Sequence, residues 1–212
     1  MKAIIFDLDG TLLDSLHDLG NAMNRVLMNH NFPIHDIKQY QTFVGNGIYK
    51  LVQRSLPETC TDVQPYFEEY LDSYDKGYKV DSKLYEGVYD TLKTLNQKGV
   101  KIAVHTNKMQ RYTSDIIEHY FDGIHFIEVM GDQGDNLHKP NPHHTLGIAK
   151  KLGMDPQDIL FVGDSNVDIE TAVNAKMIPV GVSWGFRSVE ELKNAGAMHI
   201  IDGMHELLEL IS

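Results

Sequence analysis

The sequence predicts an α/β protein: a doubly wound, mostly parallel sheet of the Rossmann-like kind, with an all-helical subdomain inserted after the first strand. Three observations predict it. Short runs dense in Ile, Val and Phe alternate with helical patterns over most of the 212 residues, and runs without strict apolar–polar alternation suit strands covered on both faces. Strands that alternate with helices pair in parallel. From Leu16 to Lys83 the alternation stops and only helical patterns remain, too long a stretch for a single crossover connection.

The elements follow in order. Ala3–Phe6 is the first expected strand. Leu16, Leu19, Met23, Val26 and Leu27 then recur at helical spacing, as do Ile48, Leu51 and Val52, and the segment Tyr66–Tyr74 reads as a further helix. Tyr89–Lys98 is a helix stopped by Gly99, and His143–Leu152 one stopped by Gly153, each glycine suiting a left-handed C-terminal cap. The remaining strands are expected at Lys101–His105, His125–Val129, Ile159–Val162, Pro179–Ser183 and His199–Ile201, with a helix around Met109–Tyr120 and a short turn starting at Asp155-Pro156. The organisation is therefore an α/β core from residues 1–15 and 84–212, with a helical cap over 16–83.

Composition removes several classes of function. Nineteen Lys and Arg against 30 Asp and Glu leave a net charge of −11, a surface that repels polyanions, so no nucleic-acid partner is expected. Cys60 is the one cysteine, which excludes an intrachain disulfide and a cysteine-based zinc cluster. No window approaches 18 consecutive apolar residues, and the first residues lack the small-residue cleavage site of a signal peptide. A cytoplasmic protein with no membrane partner is the expectation.

In an open parallel sheet, ligands bind beyond the carboxyl ends of the strands. There the first strand runs into Asp7-Leu8-Asp9-Gly10-Thr11, the second into Thr106-Asn107-Lys108 and the fourth into Gly163-Asp164-Ser165, while Lys139-Pro140-Asn141-Pro142 precedes the helix before that fourth strand. Small polar and acidic residues thus converge on one rim. In this order, with Leu12, Asp14 and Ser15 following the first set and Asp168 the last, they resemble the four motifs of haloacid dehalogenase-type phosphatases across essentially the whole chain. The insertion resembles that family's small α-helical cap. Within the superfamily, Phe43-Val44-Gly45-Asn46-Gly47, Val129-Met130-Gly131-Asp132 and Gly181-Val182-Ser183-Trp184-Gly185-Phe186 are similar to segments of phosphoglycolate phosphatases.

The resemblance implies a Mg²⁺-dependent phosphatase acting on a small phosphorylated metabolite, 2-phosphoglycolate first, as a monomer or homodimer. Asp7 is the expected nucleophile, whose aspartyl-phosphate splits one hard step into two. Asp9 is the expected general acid for the leaving alkoxide and then the base for water. Gly10, bare of Cβ, lets the backbone approach the phosphate. A calcium loop is excluded because Leu12 stands where that loop needs Gly. Thr106 and Asn107 are expected at a helix N-terminus, a natural phosphate site, although Thr106 equally suits a plain N-cap. Lys139 would bind a phosphoryl oxygen and keep Asp7 ionised. Asp164 would complete the Mg²⁺ site with Asp7 and the carbonyl of Asp9. Asp168 suits a capping box with Ser165 and, compatibly with it, a place beside the metal, orienting its bound water or ligating it directly.

The cap carries selectivity. Gly45 and Asn46 lie between two cap helices, and Arg54 either grips a substrate carboxylate or rides a solvated helix face. Trp184 edges the pocket or packs. His143 and His144 diverge on a helix and make no metal pair with His138; His105 reads as a buried strand residue. Leu19 stands where mutases of the family carry a cap His, with His17 two residues away, and Asp9 argues against dehalogenase chemistry. Lys176, Glu86 and His138 depart from the family pattern, which more often has Gly, Pro and Lys there. The same chemistry on pyrophosphate, a nucleotide or a sugar phosphate, and a non-catalytic module binding a phosphometabolite, are the alternatives.

Overall fold

The computed structural model describes residues 2–211; Met1 and Ser212, the outer limits of the expected core, lie outside the described residues. The chain opens with β1 (Ala3–Phe6) and a two-residue strand β2 (Leu13–Asp14). The helices α1 (Leu16–Asn29), α2 (Tyr40–Phe43), α3 (Ile48–Ser55) and α4 (Gln64–Asp75) follow. A second short strand, β3 (Lys83–Leu84), pairs antiparallel with β2. This ribbon, at the point where the insertion leaves and rejoins the core, has too few residues for periodicity to reveal it. Then come α5 (Val88–Gln97), β4 (Lys101–Met109), α6 (Gln110–Tyr120), β5 (Glu128–Asp132), α7 (His143–Leu152), β6 (Ile159–Gly163), α8 (Asn166–Asn174), β7 (Ile178–Val182), α9 (Val189–Asn194), β8 (His199–Ile201) and α10 (Leu207–Leu210).

Six strands form one sheet in the order β5-β4-β1-β6-β7-β8, every pair parallel. The α/β architecture expected from the sequence is the one observed. All of β1 is buried, and its residues divide between two cores. Ile4 and Phe6 join Leu92 of α5, Ile116 of α6 and Leu207 of α10, while Ala3 and Ile5 join Ile148 of α7 and Ala172 of α8. Alternate residues of one strand thus face helices on opposite sides, the physical reason its sequence is continuously apolar.

The helices α1, α3 and α4 close around a third core with Leu19, Met23, Val26, Leu51, Val52, Tyr70 and Tyr74. Asp18 of α1 ties the return of the chain: its buried carboxylate accepts from the backbone N–H of Val80, Asp81 and Ser82 at 3.1, 2.9 and 2.9 Å, and from the Ser82 hydroxyl at 2.6 Å.

Four strands differ in their bounds from expectation, one of them only by a residue, since that expected at Ile159–Val162 runs Ile159–Gly163. The strand expected at His125–Val129 is Glu128–Asp132, and that at Pro179–Ser183 is Ile178–Val182. The strand expected to end at His105 continues to Met109, with an irregular register against β5 between His105 and Met109. Thr106, Asn107 and Lys108 occupy this bulged stretch of strand, so neither Thr106 nor Asn107 stands at the helix N-terminus expected for them, and the plain N-cap reading of Thr106 fails with it: Met109 is the N-cap of α6. A bulge re-aims side chains at a sheet edge or active site.

Candidate active site

The carboxyl ends of β1, β4 and β6 meet beneath the insertion at a crevice of about 540 Å³, part of it open to solvent. Asp7, Asp9, Thr106, Asn107 and Asp164 line its core side. Leu19, Val44, Gly45, Ile48 and Leu51 line the helical side, and Phe186 and Arg187 the loop after β7. Strand β1 places Asp7 here because its backbone ladder continues one residue further, the Asp7 N–H donating to the Val162 carbonyl at 2.9 Å.

Lys139 is 3% exposed and lies behind Asp7, its Nζ 2.8 Å from Asp7 Oδ1 and 2.6 Å from Asp168 Oδ1. The contact to Asp7 is an ion pair without hydrogen-bond alignment, so the buried Asp7 Oδ1 has no hydrogen-bond partner. Asp168 is fully committed. Its Oδ2 accepts from the Ser165 N–H at 3.0 Å and from the Ser165 hydroxyl at 2.7 Å. Asp168 thus anchors the start of α8 and pairs with Lys139, while Lys139 meets carboxylates and does not line the crevice.

Three carboxylates, Asp7, Asp164 and Asp168, bring ligand atoms within 4.8 Å of one another, all buried. Burial first, and then the neighbouring Asp168, raise the Asp7 carboxyl to about 7 against the opposing pull of Lys139. Burial, Asp168 and Asp7 push Asp164 well above the usual carboxylate range. Burial would lower the Lys139 ammonium, but Asp168 and Asp7 more than offset it and hold the lysine above its ordinary value. One lysine does not balance this acidity. A hard divalent cation, which takes oxygen ligands and keeps several waters, fits the surplus. Among the described residues this is the one such cluster of His, Cys, Asp and Glu, and no histidine belongs to it.

Gly10 serves a different neighbour from the one expected. At φ +84° its Cβ would fall 2.3 Å from Asp164 Oδ2, so its bareness admits the Asp164 carboxylate. Gly185 is equally tight: a Cβ there would sit 2.2 Å from the Cβ of Asp164. The Phe186 N–H donates to Asp164 Oδ2 at 2.7 Å, so two glycines and one amide fix this carboxylate. Trp184 packs, its indole N–H donating to the Thr11 carbonyl at 3.1 Å.

Thr106 lines the crevice at 3% exposure, and its hydroxyl accepts from the Lys108 N–H at 3.3 Å. The Asn107 amide is spent on the scaffold: Oδ1 accepts from the Lys139 N–H at 2.9 Å, and Nδ2 donates to the carbonyls of Gly45 at 3.1 Å and Lys139 at 3.2 Å. It joins core to cap. Gly45 lines the crevice, but Asn46 and Arg54 do not. The Arg54 guanidinium donates to the Phe43 carbonyl at 2.9 Å and to Asn46 Oδ1 at 2.8 Å, so it braces the turn before α3. The crevice arginine is Arg187, whose guanidinium donates to the carbonyls of Gln41 and, at 2.8 Å, Val44. His105 is buried, paired with Thr145 at 2.9 Å, and burial holds its pKa well below the ordinary value.

Sequence reasoning left Arg187, Lys108 and Tyr74 without roles. Lys108 was visible beside Thr106-Asn107; Tyr74 carries no local signal, since only the packing of α4 brings it to the core.

Fold and site together define a class: an α/β enzyme whose first strand delivers Asp7 and Asp9 to a crevice of buried carboxylates, backed by a buried lysine and roofed by helices. The chain belongs to the haloacid dehalogenase-like hydrolase family, whose sequence model matches residues 4–182. It is 32% identical to the phosphoglycolate phosphatase of Vibrio vulnificus YJ016, over all of this chain and 96% of that one. It is also 32% identical to phosphoglycolate phosphatase 1 of Pseudomonas aeruginosa, over 98% of this chain and 78% of the relative. Among solved structures, a protein from Lactobacillus delbrueckii subsp. bulgaricus superposes with a TM-score of 0.92 at 32% identity, covering 100% of this chain and 99% of that one. A predicted phosphoglycolate phosphatase from Haemophilus somnus does so with a TM-score of 0.89 at 30% identity, covering 100% and 98%. The chain is a phosphatase of this family, a phosphoric monoester hydrolase. No helix among the described residues is long and apolar enough to cross a membrane.

Proposed function

We propose that the chain hydrolyses a small phosphomonoester, 2-phosphoglycolate before others, to glycolate and phosphate through an aspartyl-phosphate on Asp7. The observation that carries this reading is Asp7 itself: a buried carboxylate on the crevice wall, backed by Lys139 at 2.8 Å and beside the Asp164 and Asp168 carboxylates. The full-length similarity to enzymes named phosphoglycolate phosphatase supports the substrate.

An Asp7 oxygen attacks phosphorus, and the bond from phosphorus to the glycolate oxygen breaks. Asp9 gives its proton to that leaving oxygen. Asp9 then takes a proton from water as the water attacks phosphorus, and the bond from phosphorus to Asp7 breaks, regenerating the carboxylate. The Thr106 hydroxyl faces the phosphoryl oxygens, and Lys139 favours the ionised form of Asp7 from behind. Asp7, the Asp9 carbonyl and Asp164 would hold Mg²⁺, which neutralises charge on the transferring phosphoryl group. Asp168 supports that set by holding Lys139.

Residues 16–83 act as a cap that shields the reaction from water, moving about Ser15 and residues 81–86. The leaving group meets the apolar wall of Leu19, Val44, Ile48 and Leu51. The enzyme works in the cytoplasm as a monomer or homodimer on a free metabolite.

The test is phosphate release with Mg²⁺ from a panel of 2-phosphoglycolate, pyrophosphate, nucleotides and sugar phosphates. Preferential turnover of 2-phosphoglycolate is expected; activity confined to another compound rejects that substrate. Wild-type-like turnover by Asp7→Asn rejects the mechanism.

A further inference from the structure

Lys108 has no part in the steps above, yet its side chain is among the most buried charges in the molecule, at 1% exposure. A lysine tolerates such burial only when acceptors surround its ammonium. Three do: Asp9 Oδ1 at 3.0 Å, Asp9 Oδ2 at 3.1 Å and the Tyr74 hydroxyl at 2.8 Å. One residue thus chelates both oxygens of the acid–base carboxylate from the core side and reaches into the inserted helices with its third N–H.

Tyr74 is a rigid anchor. It belongs to α4, is fully buried, stacks on Tyr70 at 5.6 Å and meets Tyr112 edge-on at 4.9 Å. Its hydroxyl sits where that packing puts it. On the other flank of Asp9, the Ser15 hydroxyl donates to Oδ1 at 2.6 Å, and Ser15 is the residue at which the chain enters α1. Both supports of the Asp9 carboxylate therefore depend on the insertion, one through its first hinge and one through α4. Asp7 differs: its side-chain partner, Lys139, belongs wholly to the core.

We infer that Lys108 and Tyr74 form a clamp that sets the orientation of the Asp9 carboxyl group only while the helical subdomain is seated. Lys108 is the positioning residue and Tyr74 its anchor on the cap. The inference rests on the acid–base role proposed for Asp9. Its consequence is selective: the proton Asp9 delivers is carried on the Oδ2 lone pair that neither Lys108 nor Ser15 occupies, so its delivery to the leaving oxygen needs the clamp, and attack by Asp7 does not.

Leaving-group dependence separates this from a structural role. kcat/KM is measured for wild type, Tyr74→Phe and Lys108→Met on the best alkyl phosphate of the panel, whose alkoxide needs a proton, and on p-nitrophenyl phosphate, whose leaving group does not. Melting temperatures confirm folding, and should one variant not fold, the other decides alone. Losses of about tenfold or more on the alkyl ester are expected, against less than about threefold on p-nitrophenyl phosphate, since positioned general acids contribute about 10²–10⁴-fold. Equal losses on both substrates, or a change confined to KM, overturn the clamp. A wild-type protein inert toward both compounds contradicts the proposed reaction itself, and that result appears before any variant is compared.

Discussion

In the proposed reaction Asp7 is ionised to attack phosphorus, yet burial and Asp168 raise its carboxyl to about 7. Lys139 answers part of that cost, and the proposed cation would answer the rest. Replacing the carboxylate with an amide therefore separates chemistry from stability. Asp7→Asn is expected to lower turnover by about three orders of magnitude or more, while raising the melting temperature of the metal-free protein near pH 8, because the amide has no charge to bury. Steady-state phosphate release and differential scanning fluorimetry check the two halves. Gly185 is a second sensitive position, since a Cβ there would collide with Asp164. Gly185→Ala should weaken Mg²⁺ activation by about 10–100-fold, the range seen when groups supporting a metal ligand are lost, read as the Mg²⁺ concentration giving half-maximal rate. Lys176 shows what a departure from the family pattern costs. It stands at φ +58°, with its N–H donating to the Val173 carbonyl at 3.0 Å and the next N–H, of Met177, to Ala172 at 2.8 Å. This is the helix-ending motif that favours glycine. Lys176→Gly should stabilise the protein by up to about 1 kcal/mol, as a shift in denaturant midpoint, because a side chain in the left-handed region costs about 1–2 kcal/mol.

Among the elements, α1 carries the return of the insertion through Asp18, whose four donors come from Val80, Asp81 and Ser82. Asp18→Ala leaves three N–H groups, that of buried Ser82 among them, without this acceptor and is expected to destabilise the fold by about 2 kcal/mol, measured by chemical denaturation. The motif residues at the ends of β1, β4 and β6 were legible because a buried parallel strand is an unbroken apolar run whose end is marked by its first small or acidic residue. The shape of β4 was not legible: a bulge depends on the register with β5, which no local pattern encodes. The short ribbon of β2 and β3 escaped for the same reason, as a two-residue strand has no period. Arg54 and Arg187 show the limit most clearly. Both are arginines near a turn in the sequence, and only the packing of α3 against the turn before it, and of the loop after β7 against the cap, decides which one reaches the crevice.

For the whole molecule, a small part of the acidic excess behind the net charge of −11 is buried at the site as carboxylates, so pH and stability are linked there, and with them the proposed metal. The Asp7 and Asp164 shifts are both upward. The stability tied to them is complete below the unfolded carboxyl range, about pH 4, and the share of Asp7 is lost as pH rises through about 7. In the presence of a chelator, acidification from about pH 8 to about pH 6 should therefore raise the contribution of these groups to the melting temperature, relative to Asp7→Asn. Added Mg²⁺ should stabilise the wild type more at about pH 8 than at about pH 6, where protons compete for the same oxygens; an equal thermal shift at both pH values would place the ion elsewhere. The most direct test of the account looks at Asp7 during turnover. Acid quenching in the presence of 2-phosphoglycolate and Mg²⁺, followed by peptide mass spectrometry, should find one phosphoryl group on the peptide containing Asp7, sensitive to borohydride reduction and absent in Asp7→Asn. Steady release of phosphate with that peptide unmodified, or with the phosphoryl group on another residue, would contradict it.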